Sequence, residues 1–261
     1  MGSRQLIVTA DDLGYAHGTN EAVLAGLAAG GITSASLMVP APWARDAAVR
    51  AGSADVGVHL TLTCPKPSYR FAPITQSPSL LGGDGGFPTD ADDLLEHADP
   101  EEVARECRAQ VERATMWGIS VSHLSVHDGS LLRRPEFFDV VLTLAEEFML
   151  PLRLLESSEE AKLGFPARRL AEDEGVAIAA TTIHTMDPAA ELPGLLANLG
   201  EGLTELVVHP SVASPEAAAL FDDLEARSRT ADFIASGEIP RLAEAAGAEL
   251  LGWRAVAPRF R

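Results

Sequence analysis

Cysteine and lysine are nearly absent from this chain, and their scarcity excludes several kinds of site. The 261 residues include two cysteines, Cys64 and Cys107, so neither a disulfide framework nor a cysteine-based zinc site can be built. The two lysines, Lys66 and Lys162, fall in apparent loops, which leaves a Schiff-base barrel enzyme without its nucleophile. No glycine-rich nucleotide-binding motif opens a helix after a strand, and the HExxH and GxSxG motifs are missing.

Long apolar runs and positive charge are also in short supply. No run is long enough to span a bilayer, and the first residues lack the apolar core of a signal peptide, so we expect a cytoplasmic protein without a membrane partner. The net charge is −18 and the pI is about 4.7, which disfavours nucleic acid because its phosphates would be repelled. A neutral sugar or a cationic amine is not penalised. A homodimer is among the assemblies that this sequence allows.

Strand-like and helix-like segments alternate along the chain. The patterns predict eight strands: Gln5–Ala10, Ser34–Val39, Val56–Leu62, Val121–Val126, Leu152–Leu155, Ala177–His184, Leu203–Val208 and Glu249–Trp253. Alternation at this spacing indicates parallel βαβ units wound the same way. We therefore predict an α/β fold, an irregular TIM-like (βα) barrel of seven to eight parallel strands, in a single domain spanning residues 1–261. A Pro- and Gly-rich break at about residues 63–99 is predicted to be a long loop insertion.

Polar side chains interrupt the ends of four predicted strands, where chemistry gathers in parallel α/β folds. In the third strand His59 alternates with apolar residues that face outward, so its ring should point toward the barrel axis. The fourth strand repeats this pattern with His123 and His127. An imidazole pointing inward needs a hydrogen-bond partner or a metal. Several of them converging on a carboxylate pair indicate a metal site.

The carboxylate pair is Asp11 and Asp12, which follow the first strand. Adjacent side chains diverge in an extended chain, so we expect one carboxylate to bind the metal and the other to act as a base or to cap a helix. One carboxylate and two imidazoles leave positions open on zinc or another divalent ion for water and substrate. His209, at the end of the seventh strand, is placed to donate a proton to a leaving group.

The order of these residues resembles that of the YdjC-like family, which includes chitooligosaccharide and hopanoid-linked sugar deacetylases. The resemblance begins with TADDLG and GVHL, which are quite specific, and continues at SHLSVHD, PLRLLE and TELVVHP across nearly the whole chain. It implies an irregular barrel, one divalent metal ion (Zn or Mg) and removal of an N-acetyl group from an amino sugar. It further implies metal ligands Asp12, His59 and His127, the base Asp11, the acid His209, and Arg153 beside the base or the substrate.

The sequence departs from the family in the fourth predicted strand and just after it. Family members tend to have HLDSHQHxH where this chain has HLSVHDGSL, so that Ser125, Gly129 and Leu131 replace an aspartate and two histidines. The proposed ligand His127 is kept. His123 is predicted to be a substrate contact or a substitute ligand.

The long insertion leaves the strand that carries His59, so we expect it to cover the site. Tyr69 and Phe71 within it are then candidates for stacking on a sugar ring.

Two other functions remain open on the residues alone. One is a related metal-dependent hydrolase acting on a non-sugar amide or ester, and the other is a sugar-binding barrel without activity. Asp11 and His209 favour an enzyme, since a binding protein needs neither a base nor an acid.

Overall fold

The computed structural model describes residues 3–256, so Met1, Gly2 and residues 257–261 of the predicted domain lie outside the described residues. Its single sheet is all parallel and curls into a half-barrel. The described strands are β1 Arg4–Leu13, β2 Ser34–Leu37, β3 Val56–Leu60, β4 Val121–Val126, β5 Thr181–His184, β6 Gly202–Val208 and β7 Glu249–Leu250. The predicted α/β class with parallel strands is confirmed at this level.

The strand order in the sheet is β4-β3-β2-β1-β6-β5, with β7 paired to β1. On one side β1 pairs with β6 from Arg4 to Ala10. On its other side β7 pairs with the start of β1 and β2 with its end, from Thr9 onward. Because the sheet curls, the carboxyl end of β1 comes close to those of β3 and β4 as well as to that of its neighbour β6.

The prediction of a strand at Leu152–Leu155 is wrong. Leu152 forms one isolated bridge with Leu124 of β4, and the chain then leaves the ladder toward a helix. The predicted strand Ala177–His184 is shorter, because it pairs with β6 only from Thr181 onward. The backbone N–H of Leu152 donates to the carbonyl of Ala177. The chain around Leu152 is therefore connected to the residues before β5 by a single hydrogen bond and not by a full ladder.

Helices follow most strands and cover the outside of the sheet. Within residues 3–256 they are α1 His17–Ala29, α2 Ala44–Ala51, α3 Ala91–His97, α4 Pro100–Met116, α5 Pro135–Glu147, α6 Ser157–Glu160, α7 Ala167–Asp173, α8 Pro188–Ala197, α9 Pro215–Leu220, α10 Leu224–Ala235 and α11 Glu238–Ala245. In this part of the chain no helix combines the length and apolarity that crossing a membrane requires.

The start of α4 shows how local sequence fixes an element. The Asp99 carboxylate accepts hydrogen bonds from the backbone N–H groups of Glu101 and Glu102, and Pro100 occupies the first helical position. The helix ends before Gly118, whose φ of +92° suits a residue without a Cβ. Cys107 is buried on this helix, and both cysteines are free.

The segment between β3 and α4 is folded back on the molecule. It contains a short 3-10 helix, Pro78–Leu80, as well as α3. Its middle is held against α4, because the buried Glu106 carboxylate accepts the backbone N–H groups of Ile74 and Thr75. Its first residues stand next to the end of β3, where the backbone N–H of Cys64 donates to the carbonyl of Pro88.

Gly57 in β3 gives a direct test of the packing between β3 and β4. A Cβ at this position would lie 2.4 Å from Nδ1 of His123 and 2.5 Å from its carbonyl oxygen. We expect Gly57→Ala to lower the free energy of unfolding by about 2 kcal/mol or more, since the buried ring and backbone cannot move aside freely. Urea unfolding measures this. Gly83→Ala, where a Cβ meets open space, is the control and should change stability little. Equal stability of both variants would contradict the packing described.

Candidate metal centre

The end of β1 departs from extended geometry at the carboxylate pair. The pairing of β1 with β2 shifts register between Ala10 and Leu13, and Asp12 has a φ of +63°. A residue with a Cβ reaches this left-handed region only at a cost of about 1–2 kcal/mol. The expectation that the two adjacent carboxylates diverge is therefore wrong, because the irregular backbone turns both toward one cavity.

Asp12, His59 and His127 meet at the carboxyl ends of β1, β3 and β4. Asp12 Oδ1 lies 3.6 Å from His127 Nδ1 and 3.9 Å from His59 Nε2, and the two ring nitrogens are 3.4 Å apart. Ligand atoms about 2.1 Å from a tetrahedral ion are about 3.4 Å from one another, so this triangle has the size of a metal site. Oδ1 of Asp12 is buried and accepts no hydrogen bond from the described residues, so this oxygen is available to bind a cation.

Ser125 orients His59. Its hydroxyl lies 2.8 Å from His59 Nδ1, which leaves Nε2 directed at Asp12 and His127. Burial lowers the pKa of His59 to about 3, so the imidazole is neutral and able to ligate near neutral pH. A partner on the second ring nitrogen is the usual device that fixes a ligating histidine. The replacement of the family's aspartate by Ser125 therefore keeps an orienting group.

Asp11 faces the same cavity but is already paired. Its Oδ1 and Oδ2 accept hydrogen bonds from Nη1 and Nη2 of Arg153 at 2.7 and 2.6 Å, and both side chains are buried. Burial alone raises the pKa of Asp11, yet the attraction of the Arg153 guanidinium outweighs it and holds the pKa well below the usual range. Asp11 is an ionised carboxylate whose oxygens are both occupied, whereas Asp12 has an oxygen to spare.

Two further imidazoles stand at the edge of this group. His209 Nε2 lies 3.9 Å from Oδ2 of Asp11, and its buried Nδ1 has no partner among residues 3–256. The ring of His184, at the end of β5, stacks on His209 with centroids 6.1 Å apart. Burial lowers the pKa of His184 to about 4. His184 was not singled out from the sequence, although it ends a predicted strand just as His209 follows one.

These groups lie at the base of a cavity of about 820 Å³. That volume falls within the range of small-molecule sites. Its apolar lining includes Tyr15, Leu155 and Phe221, and its rim carries Arg133 and Glu159. Pro65 and Lys66 also line it, and Lys66 Nζ meets Asp222 Oδ2 at 2.7 Å, so the start of the long segment does reach the site.

His123 is placed away from the cavity. It is fully buried, its ring nitrogens pair with the hydroxyls of Ser36 and Ser122, and the ring stacks on Trp253 at 5.4 Å. With both nitrogens engaged, it offers nothing to a molecule in the cavity.

Tyr69 does not line the cavity either. Its hydroxyl donates to the carbonyl of Tyr15 at 3.0 Å, and its ring packs on the edge of the Tyr15 ring, so it supports a residue that does line the cavity. Phe71 is buried behind the same ring. The aromatic rings that line the cavity are those of Tyr15 and Phe221.

Arg227 of α10 is a second cation at the centre that the sequence did not reveal. Its Nη1 lies 3.4 Å from Oδ2 of Asp12, and its Nε donates to Asp223 at 2.9 Å. The guanidinium stands 4.2 Å from the centroid of the Phe221 ring. Arg227 thereby engages the outer oxygen of Asp12 and leaves Oδ1 to the two histidines.

Fold and site define an α/β protein with a candidate metal centre of one carboxylate and two imidazoles at the carboxyl ends of parallel strands. A profile of the YdjC-like proteins matches residues 5–245. The chain therefore belongs to the YdjC-like family.

Two relatives and one solved structure illustrate this membership. A carbohydrate deacetylase of Thermus thermophilus is 36% identical over 98% of this chain and 94% of its own length. A carbohydrate deacetylase of Brevibacillus brevis is 38% identical over 57% of this chain and 58% of its own length. The structure of a candidate cellobiose-phosphate cleavage protein from Enterococcus faecalis superposes with a TM-score of 0.83 at 24% identity, covering 98% of this chain and 99% of that one. That likeness confirms the fold.

The role of Ser125 can be tested through metal affinity. Ser125→Ala removes the hydroxyl that holds His59 Nδ1, so the ring is free to turn. We expect the affinity for zinc to fall about 10–100-fold, the usual effect of losing such a partner. Competition with a chromogenic chelator measures the affinity, and Ser122→Ala, on the same strand but facing His123, is the matched control. Unchanged affinity in Ser125→Ala would refute the orienting role.

The buried histidines also predict how stability depends on pH. Burial holds the pKa of His59 at about 3 and that of His123 well below its ordinary value, so the folded protein keeps both rings neutral. The unfolded chain protonates them below about pH 6.5, so stability falls as the pH drops from 7 to 5, by up to about 1.4 kcal/mol per unit for each ring. Urea unfolding with a chelator present measures the slope. It should be shallower in His123→Gln, and an unchanged slope would contradict this account.

Proposed function

We propose that this chain is a metal-dependent carbohydrate N-deacetylase, which hydrolyses the acetamide of an amino sugar or oligosaccharide. The observation that carries the proposal is the unpaired oxygen of Asp12 facing two ring nitrogens, with Asp11 and His209 beside it. The relatives from Thermus thermophilus and Brevibacillus brevis are named carbohydrate deacetylases, which supports the substrate class.

Asp12, His59 and His127 would hold one divalent ion. Two imidazoles and one carboxylate suit zinc better than magnesium, which prefers oxygen ligands throughout. When bound, the ion polarises a carbonyl and lowers the pKa of water. Neutral His59 and the free Oδ1 of Asp12 are the ligand forms that such an ion requires.

Asp11 is the proposed general base. Arg153 fixes its plane through two hydrogen bonds, and Oδ2 stands 3.6 Å from His59 Nε2 and 3.9 Å from His209 Nε2. From this position the carboxylate can accept a proton from water that attacks the acetyl carbon. Arg153 keeps the carboxylate ionised and in place, and each oxygen retains a lone pair beside its hydrogen bond with which to accept the proton.

His209 is the proposed general acid. Imidazoles transfer protons readily near neutral pH, and Nε2 of His209 is on the cavity side of Asp11. As the carbon–nitrogen bond breaks, the leaving amine takes a proton from this ring and departs as a free amino sugar, while acetate carries the oxygen of water. Arg153 stays paired with Asp11 and steadies the base, and because it also lines the cavity a direct contact with the substrate stays open.

One wall of the cavity is formed by the aromatic rings of Tyr15 and Phe221 and another by Leu155, and the sugar would lie between these two walls.

A full irregular TIM-like barrel, a single domain over residues 1–261, a cytoplasmic location and a homodimer stay predictions from the sequence. Release of acetate from a panel of N-acetylated mono- and oligosaccharides, measured together with metal content, tests the activity. If no substrate in the panel yields acetate from the metal-loaded protein, the proposal is wrong.

Substitution separates the roles of the three polar residues. Asp11→Asn should retain metal and lose about 10²–10⁴-fold in rate, because an amide accepts no proton. Asp12→Asn should lose metal first, since a neutral amide oxygen binds a divalent cation poorly. His209→Ala should keep metal and fail most on substrates with a poor leaving group, while an activated aryl ester suffers less.

Metal content and turnover on both substrate types are measured for each variant. If Asp11→Asn loses metal while Asp12→Asn keeps it and stays active, the assignment of the two carboxylates is reversed. If all three variants match the parent, catalysis occurs elsewhere.

A further inference from the structure

A carboxyl group lies inside the sheet, beyond the site described so far. Glu205 sits in the middle of β6, is fully buried and shares the inward face of that strand with Val207. Its neighbours Leu206 and Val208 face the opposite side. Burying a carboxyl group costs free energy unless its oxygens accept hydrogen bonds. A specific role is therefore expected for Glu205 among the apolar residues of this strand.

The contacts of Glu205 connect the interior of the half-barrel to Arg153. Oε1 accepts hydrogen bonds from the hydroxyl of Thr9 at 2.7 Å and from the indole N–H of Trp253 at 2.9 Å. The same oxygen lies 3.8 Å from Nη1 of Arg153, whose other close partner is Oδ1 of Asp11. Oε2 has no partner among residues 3–256.

The guanidinium of Arg153 is therefore bracketed by two carboxyl groups. Asp11 binds it directly with two hydrogen bonds, whereas Glu205, pinned by Thr9 and Trp253, attracts it at longer range. A guanidinium held by one carboxylate alone can still swing with that carboxylate about the side-chain bonds. Burial raises the pKa of Glu205, while the nearby Arg153 and the hydrogen bonds from Thr9 and Trp253 oppose that shift and favour the charged carboxylate. Such a second charge, fixed on another strand, restricts that freedom.

We propose that Glu205 is a positioning residue that, through Arg153, fixes the orientation of the Asp11 carboxylate. Its effect on turnover rests on the proposed deacetylase function, while its effect on Arg153 does not. The competing interpretation is that Glu205 only satisfies Trp253 and Thr9 within the core. Glu205→Gln distinguishes the two, because the amide oxygen still accepts both hydrogen bonds but the charge is gone.

The first experiment observes Arg153 itself in metal-free protein labelled with ¹⁵N-arginine. The Nη hydrogens of Arg153, assigned through Arg153→Lys, should give separate resonances in the parent because rotation is slow. We expect them to broaden or merge in Glu205→Gln and in Glu205→Leu, and to stay separate in Thr9→Val, which retains the charge. Unaltered Arg153 resonances in both Glu205 variants would overturn the proposal. The second variant keeps the test open if the first does not fold.

The second experiment measures turnover. Glu205→Gln should lower kcat about 10–100-fold with KM and metal content near those of the parent, as expected for a misplaced base. In an Arg153→Met background the same change should have no further effect, because Glu205 acts through Arg153. Additive losses, or a change in KM alone, would overturn the proposal. If the parent releases no acetate, the deacetylase function fails, and the arginine resonances still decide the role of Glu205.

Discussion

The buried ion pair between Arg153 and Asp11 is the interaction on which the rest of the site depends. Among the residues that the structure describes as buried, Arg153 is the one lysine or arginine, and it stands close to Asp11 and Glu205. A buried pair adds little net stability, since desolvation offsets most of the attraction. The pair instead fixes the orientation of the Asp11 carboxylate and keeps that carboxylate ionised. By taking both oxygens of Asp11, Arg153 leaves Asp12 as the carboxylate with an oxygen free for a cation.

That division requires two neighbouring residues to face one cavity, which a regular strand forbids. The chain meets the requirement at Asp12 with a left-handed backbone and a shift of register in β1. Strain of this kind persists where surrounding contacts hold it. Here Arg227 holds the outer oxygen of Asp12, and the carbonyl of Asp12 accepts the backbone N–H of Tyr15. The same local distortion thus gives the proposed base and the proposed ligand their different surroundings.

The sequence predicted those parts of the fold and site that follow from strand periodicity. An imidazole on the inward face near the carboxyl end of a parallel strand can point to few other places, which is why His59 and His127 were found together. His123 shares that face, but it lies one layer deeper, and periodicity carries no information on depth. Arg227 and Tyr15 reach the site through the paths of loops and helices, which no short-range pattern encodes. The strand predicted at Leu152 was wrong because a segment that forms a single bridge can have the same local pattern of residues as one that forms a full ladder.

Two of the departures from the family pattern, Gly129 and Leu131, lie just after β4, in the segment that begins with the proposed ligand His127. Gly129 has a φ of +60°, and a Cβ there would lie 2.4 Å from Cδ2 of Leu155, so the leucine occupies the space that a side chain at this position would need. Leu131 is fully buried in the core. Two histidines at these positions would have to displace Leu155 and place a polar ring among apolar side chains. The wall at Gly129 and Leu155 is therefore apolar, whereas Asp128, whose Oδ2 lies 3.3 Å from Nε2 of His127, adds a carboxylate to the same side of the cavity.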